Sequence, residues 1–139
     1  MITREIVVNS HSNIKLTERE LDIMQILWKL GRGSVTEVHY NLLKQDLILP
    51  YTTVQSVINR LEKKGYLGRD KSKRVHRYLP MVKEFSAVTA AFQRLADRFF
   101  GGSVEALAVS FIEGLTPQQR KRMEALMAEL LRKAHELEQ

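Results

Sequence analysis

The sequence predicts a mainly α-helical protein that carries one small β-hairpin. Apolar residues recur every three or four positions in six separate segments, which is the spacing of amphipathic helices. Only residues 66–79 read as two short extended stretches joined by a polar turn, which is typical of a hairpin. The chain has seven glycines, three prolines and no cysteine. A sheet-rich fold with many turns is therefore disfavoured, and disulfides, thiolate metal sites and cysteine nucleophiles are excluded.

The first helix is predicted to begin at Thr17. Thr17 and Glu20 have the spacing of a capping box, which satisfies free N–H groups at the start of a helix. Residues 1–15 show no helical period and are expected to form a loose N-terminal arm, with a short extended piece at residues 6–8. Trp28 lies on the apolar stripe of the first helix, so we expect it in the core.

Two more helices are predicted after a glycine-rich turn. Gly31 and Gly33 are expected to end the first helix, because glycine readily takes positive φ. Ser34 and Glu37 form a second capping box, and the second helix begins there. The third helix is predicted over residues 51–64. Its apolar positions are Val54, Val57, Ile58 and Leu61.

A hairpin is predicted directly after the third helix. Gly65 is expected to cap that helix, and residues 66–71 and 75–79 carry β-compatible side chains on either side of a wholly polar join. Pro80 is expected to stop the second strand. Three helices followed by a basic hairpin are the order of a winged helix-turn-helix domain, which we assign to residues 16–80.

Residues 81–139 are predicted to form a helical dimerisation region. Helices are expected from near Phe85 to Gly101, from Ser103, and from Thr116, where a capping box precedes a proline. Three amphipathic helices in under 60 residues rarely bury enough surface alone, so the expected partner is a second copy of the chain. The predicted dimer-interface residues are Phe85, Val88, Phe92, Leu95, Phe99, Leu107, Phe111, Met123, Leu126, Met127 and Leu130.

The net charge is concentrated in one short stretch of the chain. Residues 60–77 contain eight basic and two acidic side chains, which equals the net charge of +6 for the whole protein. Residues 81–139 are balanced, with eight of each sign. A positive charge that is confined to a helix end and a hairpin is typical of a surface that binds a polyanion, and we expect that polyanion to be nucleic acid.

The third helix is expected to present a polar face to double-stranded DNA. When its apolar stripe points inward, the opposite face carries side chains that can hydrogen-bond to base edges or phosphates. Cations at the hairpin tip are expected to contact the backbone and to position the protein rather than to specify a sequence. The predicted DNA-binding residues are Thr52, Thr53, Gln55, Ser56, Asn59, Arg60, Lys63, Lys71, Lys73 and Arg74.

Three segments together resemble the penicillinase and methicillin-resistance repressor family of bacteria (BlaI/MecI type, with the CopY-type copper-responsive repressors as relatives). The segments are LTERELDIMQILWKLG, TTVQSVINRLEKKGYL and RFFGGSVEALAVSF, and the resemblance runs from Leu16 to Leu131. It implies a cytoplasmic homodimeric repressor that binds a palindromic operator and regulates antibiotic resistance. It also implies inactivation by cleavage in the third segment, at Ser110–Phe111, with a membrane-sensor metalloprotease as candidate partner.

The sequence departs from the family pattern at two points. Serine occupies position 110, where the family commonly has asparagine before the phenylalanine. The copper-responsive relatives carry a C-terminal cysteine cluster, and this chain has no cysteine, so that way of sensing metal is excluded.

Other functions remain open on the residues alone. The four histidines are widely separated and lie in no metal-ligand or triad-like motif, so we expect no enzyme activity, no metal and no cofactor. A winged helix that binds an acidic protein, or a repressor that is controlled by a small-molecule effector, are the alternatives. No apolar run approaches the roughly 20 residues that cross a bilayer, and no signal peptide precedes the first helix, so the protein is expected to be soluble and cytoplasmic.

Overall fold

The computed structural model of the protein describes residues 14–138, so the extended piece expected at residues 6–8 lies outside it. The helices are α1 Glu18–Leu30, α2 Val35–Lys44, α3 Tyr51–Lys63, α4 Glu84–Phe99, α5 Val104–Glu113 and α6 Pro117–Glu138. Strands β1 Leu67–Asp70 and β2 Arg77–Pro80 lie between α3 and α4 and pair antiparallel, with Leu67 opposite Pro80. The prediction of a mainly helical chain with one hairpin wing is confirmed.

Side-chain caps mark the starts of α1 and α2, as the sequence indicates. The Thr17 hydroxyl accepts the Glu20 N–H at 3.2 Å, and the Glu20 carboxylate accepts the Thr17 N–H at 2.8 Å. The same reciprocal pair forms between Ser34 and Glu37 at the start of α2. Each box satisfies two N–H groups that would otherwise lack a partner at the helix start. The capping boxes predicted at these positions are therefore confirmed.

The prediction for Gly33 is wrong. Gly31 has φ of 85° and ends α1, but Gly33 does not take positive φ. Gly33 instead pairs with Tyr78 of β2, with N–H to carbonyl distances of 2.9 and 2.8 Å in the two directions. A Cβ at this position would lie 3.3 Å from a methyl group of Leu30. A residue without a side chain fits here because the chain passes between α1 and the wing. The requirement for glycine therefore comes from tertiary packing.

The wing strands are shorter than predicted. The strands were expected to cover residues 66–71 and 75–79, but residues 71–76 form the connection and Val75 is 63% exposed there. The turn begins early because the Asp70 carboxylate accepts the Ser72 N–H at 2.9 Å. Pro80 is the last residue of β2 and does not lie beyond it. Gly65 follows Lys64, the C-cap of α3, and has φ of 85°, as expected of a glycine at a helix C-terminus.

The main core lies among α1, α2, α3 and the base of the wing. The four apolar positions predicted on α3 are all buried there. They pack against the inward faces of α1 and α2 and against Leu67 and Tyr78 of the wing. Burial of each large apolar side chain stabilises the fold by about 1.5–3 kcal/mol. The buried residues of this cluster are Ile23, Met24, Ile26, Leu27, Val35, Val38, Leu42, Val54, Val57, Ile58, Leu61, Leu67 and Tyr78.

A second, smaller cluster joins the N-terminal segment to the start of α4. Ile14 is buried against Ala87 and Ala90, so the last residues of the expected loose arm are packed against the domain. Trp28 is partly buried and touches both clusters, and its Nε1–H donates to the Val82 carbonyl at 2.8 Å. Trp28 therefore belongs to the core region, as the sequence indicates.

The chain divides into two compact units between Ala91 and Phe92, within α4. The sequence places this boundary near residue 80, and the domain assignment stays a prediction. In the second unit, none of the described side chains of α5 or α6 is buried. Of the predicted dimer-interface residues, Leu107 and Met123 are partly buried. The exposed ones are Phe85, Val88, Phe92, Leu95, Phe99, Phe111, Leu126, Met127 and Leu130.

A buried carboxylate joins α1 to α3. The Glu20 side chain has 0% exposure and accepts hydrogen bonds from Arg60 Nε at 2.9 Å and from Lys64 Nζ at 2.7 Å. Burial opposes ionisation of Glu20, but hydrogen bonds from Lys64, the Thr17 N–H and Arg60 outweigh it and lower the pKa from 4.5 to about 2. The capping residue of the first helix thus also anchors the C-terminal end of the third.

We predict that Glu20→Gln lowers the free energy of unfolding at neutral pH by about 1.5–3 kcal/mol, the magnitude of one hydrogen bond to a charged group. The folded-state pKa lies below the ordinary value, so this stabilisation is present above pH 4.5 and is lost as the pH falls toward about 2. The difference in unfolding free energy between wild type and variant should therefore shrink in acid. Denaturant titrations across this pH range measure it. Glu18→Gln, an exposed change in the same turn, is the control, and equal losses in both variants would refute the assignment.

Candidate nucleic-acid interface

The outward face of α3 is polar and open to solvent. Its helical period places Val54 and the other apolar positions in the core and leaves the opposite side chains free. Every predicted DNA-contacting residue on this helix is exposed, and together they form one continuous face. These residues are Thr52, Thr53, Gln55, Ser56, Asn59, Arg60 and Lys63.

The wing loop lies beside α3 across an open groove. Arg74 and His76 of the loop line one side, and Gln55 and Asn59 of α3 line another. The groove also reaches the first turn of α2, where Thr36 lies. Lys71 and Lys73, the other predicted wing contacts, are exposed on the same loop. The structure therefore brings the polar face of α3 and part of the predicted wing into one groove.

The basic run divides into two groups of cations. Four of the eight are held by carboxylates within the domain. Arg60 and Lys64 bind Glu20. Arg69 binds Glu62 through two hydrogen bonds of 2.6 and 3.0 Å. Arg77 Nε lies 3.5 Å from the Glu37 carboxylate. Within residues 14–138, no carboxylate lies at ion-pair distance from the other four. Those four are Lys63, Lys71, Lys73 and Arg74, and all are exposed.

This division changes the interpretation of Arg60. The sequence predicts Arg60 as a DNA contact, and the side chain is 47% exposed. Its Nε is bound to Glu20, so only the remaining guanidinium edge can meet a ligand. A DNA contact by Arg60 stays a prediction. Within the basic run, the four cations without a carboxylate partner among the described residues, Lys63, Lys71, Lys73 and Arg74, carry the positive potential that is open to a polyanion.

Sequence reasoning missed the carboxylates that organise this surface. Glu20 and Glu37 are identifiable as capping residues, but their partners lie 44 and 40 positions along the chain. Arg32 lies in the turn between α1 and α2, and its Nη1 is 2.7 Å from the Asp70 carboxylate. Only Glu62 and Arg69, seven residues apart, lie near each other in the sequence. A periodicity argument detects none of these pairs, because each depends on how the elements pack.

The predicted cleavage site lies in regular helix. Ser110 and Phe111 are on α5, and Phe111 is 57% exposed. The Ser110 carbonyl accepts the Gly114 N–H at 3.2 Å, so the bond that follows Ser110 is part of a hydrogen-bonded turn.

In the part of the chain that the structure describes, no group of three His, Cys, Asp or Glu side chains could hold a metal ion. No helix in that part is long and apolar enough to cross a membrane.

A polar recognition helix beside a cationic wing is typical of winged-helix DNA-binding proteins. The penicillinase repressor family model matches residues 16–129, and the chain belongs to that family. The penicillinase repressor of Bacillus licheniformis is 29% identical over 99 residues, which cover 71% of this chain and 77% of that protein. The methicillin resistance regulatory protein MecI of Staphylococcus aureus (strain N315) is 23% identical over 99 residues, which cover 71% of this chain and 80% of that protein. The solution structure of the DNA-binding domain of the repressor BlaI is 32% identical, covers 52% of this chain and 87% of its own, and has a TM-score of 0.46.

We predict different effects for substitutions on α3 and on the wing. Ser56→Ala or Asn59→Ala should relax the preference for particular base pairs, at a cost of about 1–3 kcal/mol for each specific hydrogen bond to a base that the substitution removes. Lys73→Ala or Arg74→Ala should weaken binding to every duplex. The slope of the logarithm of the binding constant against the logarithm of the salt concentration should become shallower by about one for each phosphate that is no longer neutralised.

Each variant is titrated on matched and mismatched duplexes at several salt concentrations. Lys29→Ala, on α1 and outside the basic run, is the control for removal of one positive charge. Equal reductions in affinity on both duplexes from the two α3 variants would contradict direct reading of bases by this face.

Proposed function

We propose that this protein is a transcriptional repressor that binds DNA in a sequence-specific manner, as a homodimer on a palindromic operator. The observation that carries the proposal is the group of four exposed cations without a carboxylate partner in residues 14–138, which lies next to the polar face of α3. Cations of this kind neutralise phosphates, and the side chains of α3 have the donors and acceptors that distinguish base pairs in the major groove. Membership of the penicillinase repressor family supports the same function.

The apolar faces of the C-terminal helices support the homodimer. Phe99, Phe111, Leu126 and Leu130 each expose more than half of their surface in the single chain. Exposed apolar residues in this number are unusual for a monomer, and such surfaces generally mark an interface with another protein. A second copy of the chain offers a complementary face, because a two-fold axis pairs one apolar surface with its own copy.

A two-fold dimer sets the geometry of the operator. Two winged domains related by a two-fold axis read inverted half-sites. Successive major grooves on one face of the DNA lie about 34–36 Å apart, so the centres of the half-sites should be separated by this distance or a multiple of it. The four exposed cations of one chain become eight in the dimer. Binding should therefore weaken steeply as the salt concentration rises, because each neutralised phosphate releases counterions.

We predict that the protein sediments as a dimer at micromolar concentration and protects an inverted repeat on DNA. Selection of bound duplexes from a random pool gives the site, and analytical ultracentrifugation gives the oligomeric state. Phe111→Asp places a charge on the apolar face of α5 and should produce monomers, whereas Glu113→Asp, an exposed change in the same helix, should not. A wild-type monomer that binds DNA with full affinity would contradict the dimer model.

We also propose that cleavage at Ser110–Phe111 inactivates the repressor. The bond lies within α5, so a protease can bind it in extended form only after local opening of the helix. Cleavage separates α6 and the end of α5 from the rest of the chain. Each large apolar side chain removed from a dimer interface costs about 1.5–3 kcal/mol of association. A membrane-sensor metalloprotease is the partner that the family resemblance suggests for this step.

A chain that ends at Ser110 tests the consequence of this cleavage. It should keep its winged domain folded, sediment as a monomer and bind one half-site, while losing an avidity gain of roughly 10²–10⁴ on the full operator. Circular dichroism, sedimentation and titration on half and full operators measure the three properties. If the shortened chain still dimerises and holds the full operator with undiminished affinity, cleavage at this bond cannot be the switch.

A further inference from the structure

One acidic side chain lies at the base of the cationic wing. Asp70 is the last residue of β1 and pairs with Arg77 across the hairpin. Its side chain is 25% exposed and makes contacts in two directions. One carboxylate oxygen accepts the backbone N–H of Ser72 at 2.9 Å, and the other accepts Nη1 of Arg32 at 2.7 Å.

The charge of Asp70 by itself opposes DNA binding. Its neighbour in the chain is Lys71, and Lys73 and Arg74 follow in the same loop. A carboxylate among these cations reduces the local positive potential and repels phosphates. If charge alone decided the affinity, replacement of Asp70 by a neutral residue would tighten binding to any duplex.

The contacts of Asp70 have the opposite effect, because they determine the shape of the wing. The bond to Ser72 is an Asx turn, which fixes the direction in which the loop leaves β1. The bond to Arg32 holds that turn against the segment between α1 and α2. The Arg32 carbonyl lies 3.4 Å from Nη2 of Arg77, so the same segment contacts both strands of the hairpin.

The base of the wing is also fixed to α3. Arg69, the residue before Asp70, makes two hydrogen bonds to Glu62 near the end of that helix. The loop therefore starts from a point that is held on both sides. Its further residues Arg74 and His76 line the groove that they share with Asn59 of α3. A change in direction at Asp70 would move every cation of the loop relative to α3.

We propose that Asp70 is a positioning residue for DNA binding, which orients Lys71, Lys73 and Arg74 through its contacts with Ser72 and Arg32 and thereby strengthens binding despite its own negative charge. This inference rests on the proposed function. The Ser72 hydroxyl and N–H, together with Arg32, lower the pKa of Asp70 from 3.8 to about 2. The carboxylate is therefore ionised, and able to accept both bonds, at neutral pH.

The test compares Asp70→Ala and Asp70→Asn on a labelled duplex of mixed sequence, by fluorescence anisotropy at several salt concentrations. Alanine removes both hydrogen bonds, and binding should weaken about threefold to tenfold, the equivalent of roughly one net hydrogen bond. Asparagine removes the same charge but can still accept the Ser72 N–H, so its affinity should lie between those of wild type and the alanine variant.

Asp22→Ala is the matched control. Asp22 is also paired with an arginine, Arg19, and its side chain is 26% exposed, but it lies on α1 and outside the wing. Its replacement removes one ion-paired carboxylate from the same domain, so the duplex affinity should be unchanged or slightly higher. Thermal unfolding of all variants checks that the domain is folded.

A mutant cycle shows whether Asp70 acts through the wing. In a Lys71→Ala, Lys73→Ala, Arg74→Ala background, Asp70→Ala should have little further effect, because the cations that it orients are absent. An unchanged effect in that background overturns the proposal, and so does tighter binding by either Asp70 variant. If the wild-type protein does not bind the duplex in a salt-dependent manner, the proposed function itself is refuted. If the wild-type protein binds in that manner but the Asp70→Ala variant binds more tightly, only the role of Asp70 is refuted.

Discussion

The attachment of α3 to α1 through Glu20 is the interaction on which the rest of the domain depends. A carboxylate with no exposure is tolerated in a small core only when several donors satisfy it, and here Arg60, Lys64 and the Thr17 N–H do so. The same side chain thus begins α1 and holds the end of α3 in place. Because β1 follows α3 after a short turn, the position of the wing also follows from this anchor.

The ion pairs of the winged domain separate two uses of positive charge. Ion pairs that remain accessible to solvent contribute little to stability on their own, about 0–1 kcal/mol each. Their larger effect is geometric, because Arg69 to Glu62 and Arg32 to Asp70 link the hairpin to α3 and to the turn that follows α1. The cations that take no part in these links project from the end of α3 and from the wing loop. The scaffold and the ligand-binding potential are therefore built from the same short basic run.

The two units differ in how their apolar residues are used. In the first unit, the apolar faces of three helices and a hairpin meet one another and form a closed core. In the second unit, α5 and α6 have comparable apolar faces, but none of their described side chains is buried. Leu126 and Leu130, one turn apart on α6, illustrate the difference, because each is more than half exposed. Such a surface generally marks an interface with another protein, and the proposed homodimer would cover it.

Local patterns in the sequence determined the helices, their caps and the inward face of α3. A capping box such as that of Ser34 and Glu37 needs only residues three positions apart, and the stripe of α3 follows from the period of the helix. The same periodicity indicated the polar face with Ser56 and Asn59. Tertiary structure alone decided three other features: the pairing of Gly33 with Tyr78, the packing of Ile14, and the choice of which cations are bound to carboxylates. These features join residues that are far apart in the chain, and side-chain spacing within one element holds no information about which other element will lie against it.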